Sequence, residues 1–274
     1  MILLEDKVAI ITGSGRGIGK AIATLFAKEG ASVIINDLDA GPAEETVDEL
    51  KKMGGKAAAC PGNVVDIDFP EKLMKTAIDA FGKIDVIVNN AGYTWDAVIQ
   101  KTTEEQWYAM MDIHATAPFR IIKAATPYMR DVAKKEMSEG KRVHRKIVNI
   151  TSLAGVCGNA GQVNYSAAKA GLIGITKAMA KEWGRFNVNV NVVAYGFIAT
   201  RLTGEKEKGT TIKVEGKDIA VGVPKATAGA FKSMAPLGRA GTPEEAAGPV
   251  LFLASPLADY ITGELLVCSG GLLI

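Results

Sequence analysis

The chain has 274 residues, of which 48% are hydrophobic and 23% charged, a composition typical of a globular protein with a large buried core. Its net charge of +2 is too small to favour nucleic acid or an anionic membrane surface as a partner. The apolar opening Met1–Leu4 is followed at once by charged residues, so we do not expect it to be a signal peptide. No apolar run approaches the ~20 residues of a membrane helix. With three scattered cysteines and two histidines, we expect a cytoplasmic protein that has reduced thiols and no metal site.

Short apolar runs alternate with helical patterns along the whole chain. The predicted strands are Val8–Thr12, Val33–Asn36, Lys56–Cys60, Ile84–Asn89, Ile147–Ile150, Val188–Val193 and Leu265–Cys268. The predicted helices are Ile18–Glu29, Pro42–Met53, Asp68–Phe81, most of Thr103–Lys135, one through Tyr165 to Trp183, and one from Pro243 that Thr242 and Glu245 cap. Strands that are apolar throughout and alternate with helices predict an α/β fold, a parallel sheet covered on both faces.

No repeat or linker divides the chain, so we expect a single domain over residues 1–274. Two segments look like additions to it. The basic, polar segment Asp131–Lys146 predicts a longer surface helix and loop. Residues 202–233 show little regular pattern, which predicts either a substrate lid or a mobile surface excursion.

A glycine-rich loop, Thr12–Gly19, follows the first strand and opens the first helix. Glycines at this place let the backbone approach a pyrophosphate, whose charge the helix N-terminus stabilises. Asp37 ends the second strand, 24 residues after Gly13. Its carboxylate could bind the adenosine ribose of NAD and repel the 2′-phosphate of NADP, or it could cap a turn. Leu38 favours NAD as well, whereas Arg16 could neutralise a phosphate.

A serine, a tyrosine and a lysine carry the predicted chemistry. Tyr165 and Lys169 are four residues apart, so they share one helix face, and Ser152 ends a strand thirteen residues before Tyr165. A lysine cation one turn away would lower the tyrosine pKa from about 10 and make the phenol a usable acid or base. The ordinary alternative for the pair is an amphipathic helix with a solvated lysine.

Together these residues resemble the short-chain dehydrogenase/reductase family, in the branch with 3-oxoacyl reductases and NAD-linked secondary alcohol dehydrogenases. The resemblance covers nearly the whole chain and includes Thr12–Gly19, Asn89-Asn90-Ala91-Gly92, Ser152 with Tyr165-x-x-x-Lys169, and Gly270-Gly271. It implies a seven-stranded Rossmann-type doubly wound sheet, a homotetramer, Tyr165 as acid/base, Ser152 as partner of the substrate oxygen, and Lys169 as a further contact to the nicotinamide ribose. The implied cofactor-binding residues are Gly13, Ser14, Arg16, Gly17, Ile18, Gly19, Asp37, Leu38, Asn63, Val64, Asn90, Ala91, Gly92, Tyr165, Lys169, Tyr195, Gly196, Ile198 and Thr200.

The chain departs from the family pattern at three positions. Asn63 stands where the family has an Asp beside the adenine, and Tyr195-Gly196 replaces Pro-Gly after the sixth strand. His114 replaces the family's fourth catalytic residue, an Asn. Because imidazole donates and accepts protons, His114 could hold the water that links the lysine to solvent; the alternative is that this relay is lost or rerouted.

The predicted function is reversible hydride transfer between NAD(H) and a secondary alcohol or ketone. The first choice of substrate is a 3-oxoacyl or 3-hydroxyacyl thioester, carried by CoA or an acyl carrier. A steroid, cyclic alcohol or sugar alcohol is the alternative within the enzyme class. A non-catalytic NAD-binding sensor or structural subunit is the alternative of another class.

Overall fold

The computed structural model describes residues 2–214 and 216–272. Its strands are β1 Val8–Ile11, β2 Ser32–Ile35, β3 Lys56–Ala59, β4 Val86–Asn89, β5 Arg145–Ser152, β6 Val188–Tyr195, β7 Thr211–Val214, β8 Lys217–Ala220 and β9 Leu265–Cys268. Its helices are α1 Gly17–Lys28, α2 Ala40–Lys52, α3 Phe69–Phe81, α4 Glu104–Met111, α5 Ala117–Ala124, α6 Val132–Ser138, α7 Leu153–Cys157, α8 Val163–Trp183, α9 Lys225–Met234 and α10 Pro243–Ala254.

Seven of these strands form one parallel sheet in the order β3-β2-β1-β4-β5-β6-β9. The order reverses between β1 and β4, which opens a crevice at the carboxyl ends of the strands. The predicted α/β, doubly wound sheet is confirmed. Along the described ranges, no helix is long and apolar enough to cross a membrane.

Two apolar layers hold the helices to the sheet, because successive side chains of a strand point to opposite faces. In β1, Ala9 and Ile11 pack with α1, α2 and α10, whereas Ile10 packs with α3, α5 and α8. Phe26 and Leu73, one on each side, are fully buried. Burial of each such side chain stabilises the fold by about 1.5–3 kcal/mol.

Helix ends follow the predicted capping chemistry at α10. The Thr242 hydroxyl accepts from the Glu245 backbone N–H at 3.2 Å, and the Glu245 carboxylate accepts from the Thr242 N–H at 2.9 Å. Directly after Ser152, the short helix α7 is an element that the sequence pattern did not predict.

The first added segment has the predicted helix and loop, and the second is more ordered than predicted. In the first, helix α6 and a loop lead into β5, whose Arg145 and Lys146 are buried rather than on the surface. The second, over the described parts of residues 202–233, holds an antiparallel hairpin of β7 and β8 followed by α9. Four residues of alternating polar and apolar character are too few to distinguish a strand from a loop.

Candidate active site

A cavity of about 1110 Å³ lies along the carboxyl ends of the sheet strands. The glycine loop lines one end of it, and Ser152, Tyr165 and Lys169 line the middle. Residues Ile212, Val214, Phe231 and others of the 202–234 segment form the remaining wall. The predicted site residues therefore converge on one volume, as expected from parallel strands that end at one edge.

The glycine loop is held from behind by side chains of the neighbouring strands. The Thr12 hydroxyl accepts the backbone N–H groups of Asn90 and Ala91, both at 3.0 Å. The Asn90 amide donates in return to the carbonyls of Thr12 and Gly13, at 2.8 and 3.0 Å. Close approach matters most at Gly19, where a Cβ would overlap the Gly13 carbonyl oxygen. These contacts set the loop shape before any ligand binds.

Asp37 lies where the second strand ends, half-buried against the loop. A Cβ at Gly15 would come within 2.6 Å of an Asp37 carboxylate oxygen. Burial raises the pKa of Asp37, while a hydrogen bond from the Asp39 N–H and the charges of Arg16 and Arg201 act to lower it. Arg16 itself pairs with Asp39 at 3.3 Å. The Arg16 guanidinium is thus already paired with a carboxylate.

Ser152, Tyr165 and Lys169 are brought together by the end of β5 and the first turns of α8. Ser152 ends the strand, and its hydroxyl accepts the Ala154 N–H at 3.2 Å. Lys169 is buried, its ammonium lies 5.7 Å from the centre of the Tyr165 ring, and it donates to the Ile150 carbonyl at 2.7 Å. The solvated-lysine alternative is therefore wrong.

The expected direction of the Tyr165 pKa shift is also wrong for the protein without cofactor. Burial raises the pKa of Tyr165 to about 12, and the charge of Asp96 adds to that, whereas a hydrogen bond with Ser152 lowers it. Burial likewise lowers the pKa of Lys169 to about 7. Loss of hydration disfavours both the Tyr165 phenolate and the Lys169 ammonium. Near neutral pH, Lys169 is therefore only partly protonated, whereas the sequence pattern suggested a full positive charge.

His114 packs directly against Tyr165, with ring centroids 5.0 Å apart in an edge-to-face arrangement. It lies in a π-helical turn, Asp112–Thr116, between α4 and α5. The Nε2 atom lies 2.7 Å from the Tyr93 carbonyl, which can only accept, so Nε2 carries the proton. Burial, followed by the charge of Lys169, holds the pKa of His114 well below its usual value. Its Nδ1 atom is buried and makes no hydrogen bond to the described residues.

Comparison with known proteins identifies this arrangement. A family model described as short chain dehydrogenase matches residues 7–211. The chain belongs to that family. Among its relatives, the 3-oxoacyl-[acyl-carrier-protein] reductases of Thermotoga maritima and Synechocystis are each 40% identical to it, over 99% and 100% of both chains respectively. A 7α-hydroxysteroid dehydrogenase, solved with NADH and 7-oxo glycochenodeoxycholic acid, is 30% identical with a TM-score of 0.84 and covers 98% of this chain and 95% of its own.

As a short-chain dehydrogenase, the protein is an oxidoreductase that uses a nicotinamide cofactor. The cavity fits that cofactor, because the glycine loop and the N-terminus of α1, which suit a pyrophosphate, line it. All but one of the predicted cofactor residues line the cavity. Ser14 is the exception: it is fully buried, donates its hydroxyl proton to the Ile11 carbonyl at 2.7 Å and accepts the Asn36 N–H at 3.1 Å. Ser14 shapes the loop rather than facing the cofactor.

Tyr195, the departure after the sixth strand, lines the cavity, but its hydroxyl is bonded to a core helix. Its phenol donates to the Ala246 carbonyl of α10 at 2.6 Å. Burial raises its pKa, with a smaller contribution from the charge of Cys268. A phenol bonded in this way ties the end of β6 to a core helix, so it positions the Gly196 loop.

Sequence reasoning missed several buried asparagines that build the site. Asn36 accepts the Gly13 N–H at 3.2 Å and donates to the Cys60 and Gly62 carbonyls, each at 3.1 Å. Asn164, next to Tyr165, donates to the carbonyls of Trp95 and Gln106, each at 3.1 Å. For Asn36 the available signal was an amide side chain at the end of an apolar run, where a buried polar group requires partners.

Proposed function

We propose that the protein reduces the ketone of a 3-oxoacyl thioester to a secondary alcohol, with NADH as the hydride donor. The observation that carries this is the convergence of the half-buried Tyr165 phenol, the Ser152 hydroxyl and the buried Lys169 ammonium on one cleft. A phenol with a pKa of about 12 is protonated at neutral pH, so it holds the proton that a reduced carbonyl oxygen takes up.

Each residue of the site has its own role in the proposed reaction. The cofactor, when bound, supplies the hydride. Ser152 and Tyr165 hydrogen-bond the ketone oxygen and orient it, and Tyr165 donates its proton as negative charge develops there. Lys169, held by the Ile150 carbonyl, binds the nicotinamide ribose and, when protonated, stabilises the phenolate left on Tyr165.

NAD rather than NADP is the proposed cofactor, because the Asp37 carboxylate faces the loop and Arg16 is paired with Asp39. We expect NADH to bind at least about tenfold more tightly than NADPH, a difference of about 1.4 kcal/mol. The substitution Asp37→Ser should reduce the preference for NADH over NADPH. Asp48→Ser, on the exposed face of α2, should leave that preference unchanged. Fluorescence titration measures both affinities, and tighter NADPH binding by the unaltered protein would overturn the assignment.

His114 is proposed to take part in proton supply through its unprotonated Nδ1, which can accept a hydrogen bond from a water beside Lys169. We expect His114→Leu to lower kcat by roughly tenfold and to alter its pH profile, a smaller loss than the 10²–10⁴-fold of a direct acid. His114→Asn, which keeps a hydrogen-bonding side chain, should retain most activity. If His114→Leu had unchanged turnover and pH profile, the relay role would be wrong.

The wall opposite the glycine loop supports a thioester with an acyl chain. Ile212, Val214 and Phe231 give it apolar surface, while Lys206 and Lys213 add positive charge that suits the phosphates of CoA or an acyl carrier. We propose the segment 202–233 as a lid over this substrate. Lys217 pairs with Glu105 of α4, which ties the hairpin across the cleft.

A panel of substrates tests this assignment. With NADH as donor, a short 3-oxoacyl-CoA should give a higher kcat/KM than a steroid ketone or a sugar ketone. The steroid is the second candidate, since the hydroxysteroid dehydrogenase with a similar fold was solved with a 7-oxo bile acid. A preference for the steroid would move the substrate assignment to that class.

We further propose that the chain forms a single domain and assembles as a homotetramer in the cytoplasm. The shared sheet and two continuous apolar layers support the first statement. The proposed tetramer and the proposed cytoplasmic location rest on the family resemblance. Mass measurement by light scattering tests the assembly, and a monomer would contradict it.

A further inference from the structure

A second cavity, of about 290 Å³, lies at the opposite edge of the sheet from the active site. Lys7 precedes β1, Val86 begins β4, and Lys146 is the second residue of β5, so the cavity sits at the amino ends of these strands. Ser152 ends the same strand β5, about 20 Å away at about 3.3 Å per residue. The two cavities are therefore separate.

The floor of this basal cavity is an ordered polar cluster. The Lys146 ammonium, almost completely buried, donates to Asp259 at 2.7 Å and to the Asn189 side-chain oxygen at 3.1 Å. His144 lies 3.1 Å from the same Asn189 oxygen and 3.7 Å from Asp259. Since an ammonium has three N–H donors, Lys146 retains one beyond these two contacts.

Positive charge exceeds negative charge around the cavity. Lys7, Arg142 and Lys146 line it with one carboxylate, Asp259, which leaves a charge of +2 with His144 neutral. Asp85, outside the lining, lies 4.0 Å from Lys7 but also 3.1 Å from Lys83, so it is shared between two lysines. Burial lowers the pKa of Lys146, Asp259 raises it, and the neighbouring charge of Lys7 adds to the lowering. Lys7 and Lys146 thus bring two positive charges to the lining of one cavity.

We propose that this basal cavity binds a phosphate group, either inorganic phosphate or the phosphate of a small organic molecule. A phosphate carries about −1.5 to −2 charges at pH 7, which matches the surplus positive charge of the residues that line the cavity. Arg142 offers a planar fork of donors, and Lys7 and Lys146 offer point charges, the pairing by which proteins hold phosphate oxygens. A water occupies about 30 Å³ in the liquid, so 290 Å³ has room for a phosphate and a small organic group.

Calorimetric titration tests the proposal in the full-length protein saturated with NADH, which keeps phosphate out of the cofactor cleft. Inorganic phosphate and glycerol 3-phosphate are titrated separately at constant ionic strength. We expect saturable binding of one ligand per chain. Tighter binding of glycerol 3-phosphate would assign the organic phosphate, and equal or weaker binding would assign the free ion; either supports a phosphate site.

The variant Lys7→Gln/Arg142→Gln removes two charges from the cavity without touching the buried Lys146–Asp259 pair. It should weaken phosphate binding by about tenfold or more, because two charge-assisted hydrogen bonds are lost. Lys75→Gln/Lys181→Gln removes two exposed charges elsewhere and should bind as the unaltered protein does. Melting curves without phosphate verify that both variants fold. Absence of saturable binding, or equal weakening in the two variants, would refute the site.

Discussion

Replacing Tyr165→Phe is expected to lower kcat by about 10²–10⁴-fold, the contribution of a positioned general acid. The change removes one hydroxyl and keeps the ring that packs against His114, so the site should keep its shape. NADH affinity should change little, because the glycine loop and Asp37 are remote from the phenol in the cavity lining. Steady-state kinetics and fluorescence titration on the same preparation separate the two effects.

Tyr108→Phe is the matched control, since Tyr108 lies on α4 and is 60% exposed. It should leave both kcat and cofactor affinity unchanged. Substantial activity in Tyr165→Phe would show that another group supplies the proton. A parallel loss of NADH binding would instead show that the variant damages the fold of the cleft.

Replacing Gly19→Ala is expected to weaken NADH binding by at least about tenfold and to destabilise the fold by about 1–3 kcal/mol. The added methyl group would overlap the Gly13 carbonyl oxygen and come within 2.6 Å of the Asn90 amide nitrogen. That nitrogen donates to Thr12 and Gly13 carbonyls, so relief of the overlap must break hydrogen bonds that shape the loop. Titration with NADH and thermal unfolding measure the two losses.

Gly41→Ala provides the control for that substitution. Gly41 lies in the first turn of α2, and a Cβ there meets nothing within 4 Å. Alanine has the higher helix propensity, so stability should stay equal or rise by up to about 1 kcal/mol. Equal NADH affinity in the two alanine variants would show that the close approach at Gly19 is not needed for the cofactor.

The sheet and the catalytic constellation were predictable because their signals are local and strong. Short, mainly apolar runs marked the parallel strands, and the spacing of Tyr165 and Lys169 placed both on one helix face. The hairpin of β7 and β8 was not predictable, since its two four-residue strands stabilise each other only once the chain has folded back. The roles of Asn36 and Asn164 could not be predicted for the same reason, because their hydrogen-bond partners are distant in sequence.

The pKa of Tyr165 shows why residue types alone mislead about electrostatics. The spacing to Lys169 suggested a lowered pKa, but burial raises the pKa of Tyr165 and lowers that of Lys169, which disfavours both charged forms. Burial depends on how β5, α8 and His114 pack together. Sequence spacing carries no measure of that packing, so it placed the two residues on one helix face but predicted the wrong direction for the pKa shift.

The most direct test of the account is the reaction of the purified protein with a short 3-oxoacyl-CoA and NADH deuterated at the transferable position. Mass spectrometry of the product should find a 3-hydroxyacyl-CoA that carries one deuterium on C3, and Tyr165→Phe should form it at least about a hundredfold more slowly. A product without deuterium, or none with the thioester while a steroid ketone is reduced, would contradict the proposed function.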